Sequence, residues 1–270
     1  MTLTARLRGR RVALSVALAG LVALTACGKK KANLPEGQID PAKFLFDRGT
    51  QGLQTKRWLK AREYFQELYD KYPQSPYRTD AKLGLGDAML GEGSTEALVL
   101  AGNEFREFLT FFPTNPRADY AQYKLALSHS RQMLKPDRDQ TQTKEAIKEL
   151  ETFLARYPGS TLMNEGRKKL REARDRLSQS EYLVGYHYYQ WRVWSGAISR
   201  LLAILRDDPE YTYRDAVYYY LGETLLRTEL KAQALPYFAR LVEEFQESQY
   251  LAKAQQRIKE LKTAAAVVGR

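Results

Sequence analysis

Cysteine is nearly absent from this 270-residue chain, which has only Cys27. A lone thiol excludes an internal disulfide and a cysteine-built zinc site. Histidine is almost as scarce. His129 and His187 stand far apart, which argues against a histidine metal centre or a histidine-dependent triad. Glycine (17) and proline (10) are too few for a low-complexity chain. No apolar run approaches the ~20 residues that span a bilayer. There is no P-loop, no glycine-rich dinucleotide fingerprint and no HExxH pair. What remains is a globular balance of 44% hydrophobic and 28% charged residues, with an unusual 18 tyrosines.

The net charge of +11 suggests nucleic acid until it is located. Without Arg6, Arg8, Arg10 and Arg11 the excess falls to +7, and without Lys29, Lys30 and Lys31 to +4. The basic surplus belongs largely to the N-terminus, so it predicts no basic groove and no nucleic-acid partner.

That N-terminus reads as an export signal. Residues 1–11 are basic, and 12–24 (VALSVALAGLVAL) are apolar and too short to span a membrane. Leu24-Thr25-Ala26-Cys27-Gly28 resembles a bacterial lipobox, which implies cleavage after residue 26 and acylation of Cys27. Gly28 is not Asp, so nothing signals inner-membrane retention. We read 1–26 as a lipoprotein signal peptide and 27–40 as a polar, lipid-anchored tether. The expected location is the outer membrane.

Beyond the tether, one spacing recurs: Ala, an apolar residue four later, and Pro eight after that. It appears at Ala61/Phe65/Pro73, Ala101/Phe105/Pro113, Ala146/Leu150/Pro158 and Ala197/Leu201/Pro209, then at Ala234/Phe238 with Gln246 in the Pro place. A Gly lies twelve residues before the Ala at Gly49, Gly185 and Gly222. The pattern resembles the tetratricopeptide (TPR) repeat, two antiparallel helices A and B that stack into a solenoid. The fold class expected is all-α, an α-solenoid of about five TPR-like helix pairs.

The Ala positions are 40, 45, 51 and 37 residues apart, so the array is irregular. Gly91-Glu92-Gly93-Ser94 lengthens the turn in repeat 2, and 136–143 (PDRDQTQT) forms a polar loop in repeat 3. Asp137 and Asp139 in that loop lack the Gly and terminal Glu of a calcium site. Residues 161–192 contain no Pro and predict one connector helix of about 48 Å, doubling as helix A of repeat 4. This gives an N-terminal half (41–160, repeats 1–3), a C-terminal half (161–262, connector and repeats 4–5) and a frayed tail (263–270).

In a TPR array the helix A residues line a concave groove. With the Gly as marker, the groove positions are Phe46, Thr50 and Leu53 in repeat 1. In repeat 2, from Gly86, they are Leu83, Asp87 and Leu90. Repeat 3 has Ala126 in the marker's place and gives Tyr123. Repeat 4 gives Tyr182, Tyr186 and Tyr189, and repeat 5 gives Tyr219. Gln51, Gln54 and Lys82 stand near the groove as possible polar partners. Tyr188, Trp58 and Trp191 are expected in the packing between helices.

The combination of lipobox, short tether, five TPR-like repeats and a long helix between repeats 3 and 4 resembles the BamD family of outer-membrane assembly lipoproteins. Local stretches carry the resemblance: Tyr72-Pro73-Gln74-Ser75-Pro76-Tyr77, Pro113-Thr114-Asn115-Pro116 with Asp119-Tyr120, Asp137-Arg138-Asp139, and Arg156-Tyr157-Pro158-Gly159-Ser160. It covers roughly 40–262 and departs most in repeat 5. The resemblance implies a non-enzymatic scaffold of the β-barrel assembly machinery, without cofactor beyond the lipid on Cys27. It implies contact with the barrel-forming subunit, with accessory lipoproteins and with unfolded outer-membrane protein substrates. On this reading Phe46, Leu53, Leu83, Asp87, Leu90 and Tyr123 hold substrate peptide, and Tyr182, Tyr186, Tyr189 and Tyr219 bind partners. Another TPR lipoprotein scaffold, a pilus-assembly pilotin or a peptidoglycan-synthesis coordinator, is the alternative; the 161–192 connector and the long spacings weigh against it.

Overall fold

A computed structural model describes residues 40–268, and all regular structure among them is helical. Cys27, the signal peptide and the tether before residue 40 lie outside the described residues. Six helices fill repeats 1–3: α1 (Pro41–Gln54), α2 (Trp58–Lys71), α3 (Arg78–Glu92), α4 (Thr95–Phe111), α5 (Ala118–Ser130) and α6 (Thr141–Arg156). The long α7 (Met163–Gln190) follows, then α8 (Trp194–Asp207), α9 (Arg214–Arg227), α10 (Lys231–Glu244) and α11 (Leu251–Val268). Each helix packs on its neighbour in the chain, and each A helix also meets the next A helix at α1/α3, α3/α5, α5/α7 and α7/α9. That is the connectivity of a solenoid.

The spacing read from the sequence is the packing stripe of the B helices. Ala61, Ala101, Ala146, Ala197 and Ala234 have no exposed surface, and Phe65, Phe105, Leu150, Leu201 and Phe238 are equally buried. A third member, seven residues after each Ala, completes the stripe at Leu68, Phe108, Phe153, Ile204 and Leu241. Offsets of 0, +4 and +7 place all three on one helix face. The marker glycines meet these rings. A Cβ at Gly49 would lie 2.6 Å from Phe65, and one at Gly222 would lie 2.6 Å from Phe238. The next repeat supplies a second close approach, because a Cβ at Gly84 would also lie 2.6 Å from Phe65. Phe65 is therefore clasped between two glycine backbones, one from each repeat.

The prolines end the B helices, and the residue before each is pushed out of the helical region by its ring. Tyr72, Phe112, Tyr157 and Asp208 have ψ between 54° and 74°. Phe245, followed by Gln246 instead of Pro, takes the same conformation (φ −132°, ψ 70°). Packing, not proline, sets this turn in repeat 5. The short A–B turns of repeats 1, 4 and 5 close with Lys56, Arg192 and Glu229 at φ 55°, 60° and 61°. Bonds from Arg57 N–H to the Gly52 carbonyl, Val193 to Tyr188 and Leu230 to Leu225 complete Schellman-type ends. Repeat 2 uses its inserted Gly93 (φ 77°), with Ser94 capping α4 through Ala97 N–H.

A polar ladder links successive repeats. An acidic residue on each of four A helices receives the loop that opens the next repeat. Arg117 donates to Asp80 (2.9 Å), Ser160 to Asp119 (2.6 Å), Thr212 to Asp175 (2.7 Å) and Ser248 to Asp215 (2.6 Å). The connector runs 28 residues, about 42 Å. Its first part packs against α6 and its last part pairs with α8 as helix A of repeat 4. The tail expected to fray from residue 263 instead extends α11 to Val268, because the TAAAV stretch is rich in the best helix former. The described outer face of α11 is polar (Lys253, Gln256, Lys259, Glu260), as suits a terminal cap.

Candidate functional site

The groove positions assigned to repeats 1–3 divide into two groups. Phe46, Thr50, Leu53 and Asp87 are half-buried with one side on the A-helix face. Leu83, Leu90 and Tyr123 are not groove residues: they are 1%, 4% and 3% exposed and belong to the core. Leu83 and Leu90 pack with Phe105, Ala121 and Leu125, and Tyr123 packs on Phe153 at 5.6 Å. The reason is enclosure. An interior A helix such as α3 touches two B helices and the A helices on either side, so Ala81 through Gly86 are all buried. Periodicity within one helix does not show that third contact.

Lys82 is likewise 4% exposed, clamped between Glu104 and Glu107 at 2.6 Å each. Asp87 accepts from the Tyr120 hydroxyl (2.7 and 2.9 Å) and pairs with Lys124 at 3.2 Å. Burial, followed by the neighbouring Asp87 carboxylate, raises the Tyr120 pKa, so its phenol stays protonated and donates. Phe46 stacks on Tyr77 with centroids 5.2 Å apart and rings 22° from parallel. Gln51 and Gln54 are exposed.

The tyrosines of the C-terminal half do come together. Tyr182, Tyr186 and Tyr189 form a column on α7, with neighbouring rings stacked at 6.0 and 6.4 Å. Tyr220 of α9 sets its edge against Tyr186 (4.8 Å) and Tyr189 (5.0 Å). Tyr219 stacks on Tyr250 at 4.7 Å. All are half-buried, so the cluster is a packed layer that leaves part of each ring at the surface. Burial raises the pKa of Tyr182, Tyr189, Tyr219 and Tyr220, leaving neutral phenols at physiological pH.

Tyr220 and Tyr250 were missed by the groove rule, and a signal for Tyr250 exists. It stands four residues after the Pro-equivalent Gln246, as Tyr77 stands four after Pro73. Each of these two loop tyrosines stacks on the residue three before its repeat's marker glycine, Tyr77 on Phe46 and Tyr250 on Tyr219. The first and fifth repeats thus share one aromatic joint. Beside it, Glu223 is 3% exposed and bound by Arg257 of α11 at 2.6 and 3.1 Å, which fixes the cap to repeat 5.

Tyr188 packs as expected, over Gly196, where a Cβ would lie 3.1 Å from its ring. Trp58 also packs, with its ring 2.6 Å from a Cβ placed on Gly91. Trp191 does not: it is 70% exposed at the α7–α8 turn, stacked only on His187 at 5.8 Å. The chain leaves the helix there, and the sequence period stops predicting direction.

Between α6, α7 and α8 lies a cleft of about 500 Å³, with Glu151, Arg174, Glu181 and Arg200 on its walls. Arg174 pairs with Glu151 at 2.7 Å and Arg200 with Glu181 at 3.2 Å. At its base Asp208 accepts from Arg171 (2.9 Å) and Ser178 (2.6 Å). Burial alone would raise the Asp208 pKa, but these donors outweigh it and hold the carboxyl below its ordinary value. Among the described residues there is no cluster of His, Cys, Asp and Glu suited to a metal, and no helix long and apolar enough to cross a membrane. The described surfaces carry aromatic rings, ion pairs and a mixed-charge cleft.

Comparison with known proteins agrees with this reading. The family model described as outer membrane lipoprotein, YfiO, matches residues 38–231, and a tetratricopeptide repeat model matches 216–248. An outer membrane protein assembly factor BamD from Caulobacter vibrioides is 26% identical over 229 residues, covering 84% of this chain and 74% of that protein. The protein of the same name from Xylella fastidiosa is 26% identical over 221 residues, covering 78% and 74%. That from Rickettsia prowazekii is 24% identical over 241 residues, covering 89% and 93%. With a family match across most of its length and a TPR solenoid beneath it, the chain belongs to the YfiO/BamD family of outer-membrane lipoproteins.

Proposed function

We propose that this protein is a non-enzymatic scaffold of the machinery that inserts β-barrel proteins into the outer membrane, anchored at the periplasmic face by lipid on Cys27. The observation that carries the reading is the family match over residues 38–231, on a helical-repeat solenoid. The barrel-forming subunit and accessory lipoproteins are its partners, and unfolded outer-membrane proteins its substrates. No cofactor enters the reading.

Barrel strands carry alternating apolar and aromatic residues and reach the membrane extended. The A-helix face of repeats 1 and 2 suits such a strand. Phe46 on its Tyr77 support and Leu53 offer apolar contact, while Asp87, Gln51 and Gln54 offer polar partners. The tyrosine layer of repeats 4–5 suits a folded partner, since half-buried, mutually braced aromatic rings lose little entropy on binding.

Two experiments test the reading. Affinity purification from native outer membranes is expected to recover the barrel-forming subunit; its absence would remove the scaffold reading. Titration with a peptide copying a barrel's C-terminal strand is expected to show binding that Phe46→Ala weakens about tenfold, ~1.4 kcal/mol, and that Tyr186→Ala leaves unchanged. The reverse pattern would exchange the roles of the two halves, and no binding would remove the substrate-receptor role.

A further inference from the structure

At the edge where helices A and B turn in repeats 4 and 5, two loops carry features that the scaffold reading does not use. Trp191 is 70% exposed, Val193 44% and Leu230 41%. Between the loops lies a pocket of about 330 Å³ lined by Tyr189, Gln190, Arg192, Trp194 and Arg227. No carboxylate lines it. Neither Arg192 nor Arg227 makes an ion pair or a side-chain hydrogen bond among the described residues. Two carboxylates close to Arg227 in sequence are engaged elsewhere: Glu223 is held by Arg257, and Glu229 pairs with Lys231 at 3.1 Å.

The aromatic walls are packed on one another. Trp194 meets Tyr189 edge-on at 5.8 Å, and Tyr189 is braced by Tyr220 at 5.0 Å. Arg192 is fixed at φ 60° by the turn, and Trp191 is stacked on His187. The pocket offers two free guanidiniums, a side-chain amide and aromatic walls, and the exposed indole of Trp191 stands in the same turn, between Gln190 and Arg192. Guanidinium forks match carboxylates in geometry, and arginine and tryptophan are the usual anchors of protein interfaces.

We propose that this pocket is a docking site for an acidic segment of a partner protein, whose carboxylates are held by Arg192 and Arg227 while an adjacent apolar side chain packs on Trp191. The charge balance selects the occupant, because a site with two cations and no anion is completed by an acidic chain. The volume admits one or two side chains, so the ligand is a short extended segment. A lipid surface fits less well: membrane-facing patches gather many lysines around mobile apolar tips, whereas here two arginines flank mutually packed rings. The proposal deepens the partner-binding reading of repeats 4–5 and rests on it.

The probe is a fluorescent peptide, Gly-Asp-Glu-Phe-Asp-Gly with both ends blocked, titrated into the detergent-solubilised mature protein and followed by anisotropy. Its counterpart, with Asn and Gln in place of Asp and Glu, is the control. The acidic peptide should bind saturably, and the neutral one at least tenfold more weakly. Arg192→Gly keeps the turn, because glycine accepts φ 60°, and should weaken binding at least threefold. Arg227→Gln should do the same, the pair together more than tenfold, and Trp191→Ala at least threefold. Lys259→Gln, on the exposed face of α11, should change it less than twofold.

Equal binding of the two peptides, indifference to both arginine variants, or an equal loss in Lys259→Gln would overturn the proposal. So would absence of peptide binding while bromolipids quench Trp191 and Trp194 in phosphatidylglycerol-containing vesicles, which would assign the edge to lipid. Should the peptide fail while native purification still recovers the barrel-forming subunit, the pocket falls and the scaffold stands.

Discussion

Gly84→Ala isolates the contact that joins repeat 1 to repeat 2. Helix propensity alone would make this change stabilising by about 1 kcal/mol, since Gly84 lies inside α3. The new methyl, however, would sit 2.6 Å from Cε2 and Cζ of Phe65. The ring has little room to retreat, because on the Gly49 side too there is no space for even a Cβ between it and the backbone. Overpacking of a held ring costs ~1–3 kcal/mol, and a methyl 2.6 Å from a ring that is only 1% exposed puts this case toward the upper end. The expected net loss is about 1–2 kcal/mol, a fall in Tm of roughly 2–8 °C for a domain of this size. Gly185→Ala is the internal control. Its methyl would approach the flexible end of Leu201 at 3.0 Å, so propensity gain and contact cost should nearly cancel. Thermal unfolding of the mature protein in detergent, followed by far-UV circular dichroism, measures both. Phe65→Leu combined with Gly84→Ala should cost at least ~0.5 kcal/mol less than the sum of the single changes. A Tm for Gly84→Ala at or above wild type would refute the double clasp around Phe65, and with it the inter-repeat register described above.

Mass spectrometry of the mature N-terminus is expected to find lipid-modified Cys27 as its first residue, and Cys27→Ser should release the protein from membranes without changing its circular dichroism. Asp208 makes a pH prediction. Its folded pKa is depressed, so its stabilisation is complete above the ordinary carboxylate range and is lost as pH falls through the lowered value. The Tm of wild type should fall more steeply below about pH 4 than that of Asp208→Asn, and parallel curves would disprove it. Arg257→Ala strands the buried Glu223 carboxylate beneath α11. It should cost about 1–3 kcal/mol and expose 251–268 to limited proteolysis, whereas Lys259→Ala on the outer face of the same helix should do neither. Leu83→Ser should lower Tm sharply at a core position, while Phe46→Ala, half-exposed, should spare the fold and weaken peptide binding.

The sequence by itself determined the repeat. Small Ala at 61, 101, 146, 197 and 234, an apolar residue four later and a helix-ending Pro are local requirements of two helices in contact, and local requirements leave a period in the chain. It also determined the two turn insertions and the uninterrupted connector, because the Gly and Pro of 91–94 and 136 and the lack of Pro over 161–192 act locally, although α10 runs on through Pro236 near its start. The surfaces were decided by the tertiary structure. Leu83, Leu90 and Tyr123 share the sequence phase of Phe46, yet a third helix covers them, because interior A helices are enclosed and the first is open on one side. The tyrosine layer was half legible. The α7 column follows from 3.6-residue spacing, but Tyr220 and Tyr250 join it only because α9 and the loop before α11 pack alongside. The pocket of Arg192 and Arg227 was illegible: its two arginines are 35 positions apart, and neighbouring turns bring them together. Helical periodicity records what one helix needs from its nearest partner; which faces remain open depends on how many partners each helix acquires when the repeats stack.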